Sequence, residues 1–278
     1  ALVDGDDLLR ANAWMGTSLN LQVALGTLLG GTLVAAIGVR GALAFDAVSF
    51  AASALLLVGL PPLRSTSTGT PAGFLAVGRE GLSFAWRTRV VRRFLIVLFL
   101  GVAFAAVDNV ALVFLVRETL GGGPVAFGLV SAAFGVGMIS ASLGLSIRRT
   151  SVAVTTLLIV AWLASGFGTV ATGLAPLIVV AALAQAVGGF GNGLENIAAD
   201  TLIQQAVPRE MLGRVFGVVT TAAFGGSTLA YAAGGPLLDL SSPRAVFLIA
   251  GAGILAVTAY LWFAVRDAAS QDYPTQPG

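Results

Sequence analysis

Gly30-Gly31-Thr32-Leu33-Val34-Ala35-Ala36-Ile37-Gly38-Val39-Arg40 has a counterpart 204 residues downstream, Gly234-Gly235-Pro236-Leu237-Leu238-Asp239-Leu240-Ser241-Ser242-Pro243-Arg244. The glycine pair and the arginine recur at one spacing, and the same offset carries Arg10 onto Arg214. Residues 8–56 set against 212–260 give nine identities in 49 pairs. Ala and Leu match often by chance in apolar sequence, so the weight lies on the glycines, which let helices approach, and on the arginines, which mark helix ends. Around both copies the sequence is apolar, with no charge over 11–39 or 215–238. Crossing a hydrocarbon core of roughly 30 Å takes about 20 apolar residues in a helix, because a helix pairs its own backbone groups.

The rest of the chain agrees. Of its 278 residues, 57% are hydrophobic and 10% charged, with a mean hydropathy of +0.94. An ordinary soluble domain carries about a quarter charged residues. The absence of Cys excludes disulfides and thiol sites, and the absence of His leaves carboxylates alone for any metal. Ser-His-Asp, Cys-His and zinc-hydrolase constellations are therefore missing, and no cofactor is implied. The pI of 9.7 invites a nucleic-acid reading. The net charge is only +2, however, and the arginines are scattered between apolar segments, with no stripe to track phosphates. All basic residues are arginine, a bias that a GC-rich bacterial genome accounts for.

Eight spans are expected, near 14–37, 41–60, 94–116, 124–147, 151–172, 176–203, 214–238 and 244–265. The charge-free run 150–194 holds two of them, divided at Gly173-Leu174-Ala175-Pro176, with the proline suited to a helix first turn. Alternate connections hold twelve arginines on one side and only Arg40, Arg117 and Arg244 on the other, which places both ends in the cytoplasm. The long connection opens with Pro61-Pro62 and turns amphipathic, with Phe74, Leu82, Ala85 and Trp86 able to share one face and Arg79, Glu80 and Arg87 the other. This suggests an interfacial helix on the inner leaflet. A recruiting site for a protein partner is the other reading.

The repeat matches the first two spans to the last two. Six spans follow the basic loop and two precede it, so four more, about 110 residues, are expected ahead of Ala1. The organisation becomes 1–60 as the last two helices of a first six-helix bundle, 61–93 as a cytoplasmic linker with its amphipathic helix, 94–266 as a complete second bundle and 267–278 as a cytoplasmic tail. Internal repeats of this kind place a binding site between two bundles near the bilayer midplane, the arrangement of secondary transporters.

Leu9-Arg10-Ala11-Asn12-Ala13, Leu25-Gly26-Thr27-Leu28-Leu29-Gly30-Gly31 and Phe45-Asp46-Ala47-Val48-Ser49-Phe50 together resemble the fifth and sixth helices of the major facilitator superfamily. Gln204-Gln205-Ala206-Val207-Pro208-Arg209-Glu210-Met211-Leu212-Gly213-Arg214-Val215 is similar to the loop before the eleventh helix in its macrolide-efflux and enterobactin-exporter branch. The resemblance covers nearly the whole chain. It implies an all-α integral membrane protein of the major facilitator fold, with eight of twelve helices present, and efflux by alternating access. Antiporters of the superfamily typically carry Gly-Pro where this chain has Gly26-Thr27, which weakens the case for export. The cytoplasmic motif's second-half counterpart is reduced to Ser146-Ile147-Arg148-Arg149.

Ionisable groups inside a span are costly and tend to face a cavity or a partner. Asp108, beside Asn109, falls about 22 Å along its helix counted from Arg93. It can bind a proton or a cationic substrate, or be a buried acid bonded to a neighbouring helix or paired with Arg117. Glu195, a further proton or substrate candidate, and Asp200 lie near the inner end of the sixth span. By the resemblance Arg148 and Arg149 approach them, forming with Arg214 a cytoplasmic gate, or ordinary interfacial salt bridges. Asn20, Gln22, Gln185, Asn192 and Asn196 can bond a substrate or another helix. Phe104, Phe134, Trp162, Phe190 and Phe224 can line an apolar pocket, or face lipid and packed neighbours. Gly26, Gly30, Gly31, Gly234 and Gly235 are helix-packing candidates, as are the pairs Gly189/Gly193 and Gly213/Gly217. The glycine-dense stretch Gly188 to Gly193 lacks the lysine of a nucleotide-binding loop, so direct ATP use is not expected.

The expected partners are the lipid bilayer, a small amphipathic substrate and protons as the coupling ion, with no nucleic acid and no ATP. An importer of the same fold, a lipid-modifying membrane enzyme and a non-transporting scaffold or sensor are the competing readings. The enzyme lacks its usual acid, base and nucleophile set.

Overall fold

The computed structural model describes residues 14, 33–34, 36–56, 74–147 and 152–271. Among them the regular structure is helical: α1 (Ala36–Leu56), α2 (Phe74–Arg87), α3 (Arg89–Ala105), α4 (Asp108–Phe114), α5 (Pro124–Ile147), α6 (Val154–Leu174), α7 (Ile178–Ala206), α8 (Leu212–Leu240) and α9 (Pro243–Gln271). A π-helical turn, Leu115–Thr119, extends α4, and a 3₁₀ turn, Arg209–Met211, leads into α8. Among the described residues seven helical segments are long and apolar enough to cross a membrane, α3, α4 and the π turn counting as one from Arg89 to Thr119.

These segments follow the expected order with three differences. The expected span 14–37 lies almost wholly outside the described residues. The span expected at 41–60 is helical earlier, from Ala36, with Gly38 at a φ of 73°. That left-handed value carries no Cβ penalty at glycine and falls in the first turn of α1. Pro176 lies outside the first turn of α7, because Leu177 is extended (φ −138°) and the helix starts at Ile178.

The bundle is built by neighbours in the order α5, α7, α6, α9, α3, α8. No sorting of polar from apolar positions drives helices together in lipid, so close backbone approach must do so. The α5–α7 seam shows how: a Cβ on Gly189 would overlap the Phe134 carbonyl, one on Gly137 the Ala186 carbonyl, and one on Gly193 would come within 2.6 Å of the Met138 carbonyl. On the opposite side of α7, Gly191 meets the Ala161 carbonyl and Ser165 of α6. Gly234 touches Val110, whereas Gly213, Gly217 and Gly235 have no neighbour within contact of a Cβ. Gly26, Gly30 and Gly31 lie outside the described residues.

Arg244, the second-copy arginine of the repeat, donates from Nη1 to the Gly173 carbonyl at 3.0 Å. It thereby satisfies one of the carbonyls that α6 leaves open in its last turn, with the charge sign that suits a helix C-terminus. Replacing Arg244 with methionine is expected to lower stability by about 1–2 kcal/mol, read as a lower thermal midpoint in detergent. Arg117→Met, at an exposed position, should leave the midpoint unchanged.

Candidate functional site

The Arg89–Thr119 span is not one continuous helix. It stops at Ala105 and restarts at Asp108. The chain crosses the gap with short-range bonds, Asn109 N–H to the Ala106 carbonyl (3.2 Å) and Val110 N–H to the Val107 carbonyl (3.0 Å). Ala106 and Val107 stay in the right-handed helical region, so Asp108 follows a tightened turn within the span. Asp108 lies within the one span expected for it, and nothing in the apolar run Val102 to Val107 signals the tightened turn before it.

Asp108 accepts two hydrogen bonds from one amide, Gln185 Nε2, at 3.0 Å to Oδ1 and 2.8 Å to Oδ2. Gln185 comes from the first third of α7 and is 2% exposed. Of the alternatives that the sequence left open for Asp108, the structure shows a bond to a neighbouring helix, and no ion pair with Arg117 among the described residues. Its chain neighbours Ala106, Val107 and Ala111 are all buried. Asn109 is exposed, its Nδ2 turned back to the Ala106 carbonyl at 3.4 Å.

Gln185, Asn192 and Asn196 are spaced i, i+7 and i+11, which aligns them on one face of α7. Asn196 donates to Asn192 at 3.4 Å. A polar stripe thus runs from the Asp108 pair along α7. The partnership of Gln185 with Asp108 was missed from sequence, although this spacing already set Gln185 on the face of the two asparagines.

Glu195 does not join this stripe. It follows Gly188 and Gly191 at i+7 and i+4, on the side of α7 that meets α6, and is 7% exposed. Asp200, five residues further along α7, is exposed. Arg148, Arg149, Asn20 and Gln22 lie outside the described residues. Arg214, expected at a gate with them, instead pairs with Glu80 of α2 at 2.6 Å and tethers that helix to α8. Gly81 of α2 packs against the Arg214 backbone, so the two helices are in close contact there.

The aromatic candidates separate. Trp162 is buried against Gly101 of α3, and its indole N–H has no partner among the described residues. Phe104 packs on Gly253 of α9. Phe134 and Phe190 border the α5–α7 seam, and Phe224 is 69% exposed.

Apolar spans closed by glycine seams, with a carboxylate–amide pair leading into a polar stripe on one helix face, define a polytopic helical membrane protein. The chain belongs to the transmembrane secretion effector family of the major facilitator superfamily, whose model matches residues 1–276. It is similar to the multidrug efflux pump Tap of Mycobacterium tuberculosis and of Mycobacterium bovis, each 27% identical over 248 residues. The match covers 88% of this chain and 59% of each relative, so the chain spans about three-fifths of the length of these proteins.

Proposed function

We propose that the protein exports amphipathic small molecules, drugs or macrolide- or siderophore-like compounds, across a bacterial plasma membrane in exchange for protons, by alternating access. The observation that carries this reading is the Asp108–Gln185 pair, a carboxylate held just after a tightened turn and joined to the polar stripe of α7. A group that can take up and release a proton there, beside a stripe that can hold a substrate, couples the two events in one bundle. The similarity to multidrug efflux pumps supports export as the direction. In this reading α1, most of whose apolar side chains are exposed, belongs to a first bundle. Both ends of the chain and α2 then face the cytoplasm. Accumulation of a fluorescent amphipathic cation in cells producing the intact protein tests the proposal. Accumulation should fall on expression and recover when a protonophore collapses the gradient. Export that persists unchanged under the protonophore would remove proton coupling, and uptake on expression would reverse the direction.

A further inference from the structure

Outside the transport site, α2 carries a cavity whose chemistry the export reading does not use. Arg79, Ser83 and Arg87 are spaced i, i+4 and i+8, which stacks them on one side of the helix over about 12 Å. With Glu80, Phe84 and Met211 they line a cavity of about 840 Å³. Glu80 is already neutralised by Arg214 at 2.6 Å. Among the described residues Arg79 and Arg87 form no ion pair, so two positive charges and a hydroxyl remain directed at the opening. The flank beside them is apolar and uncovered: Leu82 is 50% and Trp86 55% exposed, and both border a second depression with Arg79 and Ser83. The remaining face, Gly81 and Ala85, is buried in the contact with α8 and the bundle core.

We infer that this cavity binds the phosphate of an anionic glycerophospholipid in the leaflet against which α2 lies. The guanidinium groups hold the phosphate oxygens, the Ser83 hydroxyl donates a further bond, and the acyl chains run along Leu82 and Trp86. Arginine matches phosphate geometry, and a tryptophan beside it suits the membrane interface. A soluble phosphate would use the charges but leave the Leu82–Trp86 flank bare. The lipid uses both. Because Arg214 holds Glu80, the bound lipid would sit against the joint between α2 and α8. The inference is independent of substrate and transport direction.

Native mass spectrometry of the full chain released from nanodiscs tests it. Nanodiscs of phosphatidylcholine alone are compared with nanodiscs that also contain phosphatidylglycerol. The chain should retain phosphatidylglycerol in preference to phosphatidylcholine. R79Q/R87Q should lower that preference about 25-fold, about fivefold for each charge near the surface. R79K/R87K keeps both charges but loses the planar fork, and should fall between the parent and R79Q/R87Q. R117Q, at an exposed site in the π turn, should change nothing. Equal retention of both lipids, an equal loss in R117Q, or an equal loss in R79K/R87K overturns the proposal. So does displacement of the retained lipid by millimolar sodium phosphate alone, which would assign the site to a soluble anion.

Discussion

Gly189→Val is expected to separate α5 from α7 and to leave little folded protein in detergent, whereas Gly213→Val should be tolerated. A Cβ at Gly189 would lie inside the Phe134 carbonyl, and the reciprocal position, Gly137, faces the Ala186 carbonyl in the same way. Neither obstacle is a side chain that can rotate away. The two backbones must part, and the polar stripe of α7 moves with them. Overpacking of a well-filled core typically costs about 1–3 kcal/mol, and a backbone clash along a seam belongs at or above the top of that range. Against a total stability of about 5–15 kcal/mol, this is a large fraction. Gly213 has open space around its would-be Cβ, and valine there improves on glycine in helix propensity. Thermal midpoint and monodispersity of the two variants measure the contrast. An unchanged midpoint for Gly189→Val would mean that the seam does not carry the packing assigned to it.

Asp108→Asn is expected to abolish proton-driven export while leaving the fold intact. Asparagine has the same shape and still accepts from Gln185 through its carbonyl oxygen, so the contact between α4 and α7 survives in part. What it loses is ionisation. In the proposed exchange, concentrative export should therefore fall by at least about tenfold, and the residual flux should no longer vary with pH. Downhill exchange of substrate, which needs no net proton movement, should persist. Gln185→Leu provides the complementary case. It leaves the Asp108 carboxylate without its amide donor, at about 1–3 kcal/mol for an unsatisfied buried group, and should lower stability more than Asp108→Asn does. If Asp108→Asn lowers stability as much as Gln185→Leu and leaves both export and its pH profile unchanged, Asp108 is only a structural acid.

The spans among the described residues were legible because each is long, apolar and bounded by arginine or glycine. α5 starts at Pro124 and ends at Ile147, the limits that the sequence suggests, since a glycine turn precedes it and arginines follow it. Glu80 and Arg214 were each conspicuous as charges, yet their pairing spans 134 residues, and no local pattern expresses it. The glycines divide in the same way. Gly189/Gly193 and Gly213/Gly217 have the same spacing, but only the first pair meets another backbone. A glycine's spacing says where close approach is permitted, and the neighbour alone decides whether it occurs.

By itself the sequence determined that this is a helical membrane protein, where its charges end the spans, and which family it resembles, because burial in lipid selects length and hydropathy residue by residue. Tertiary structure alone decided that the helix tightens before Asp108, that Gln185 is its partner, that Glu195 turns toward α6, and that Arg214 ties down α2. These depend on which helix faces come together across long sequence separations, and apolar spans that resemble one another on all sides carry little record of that choice.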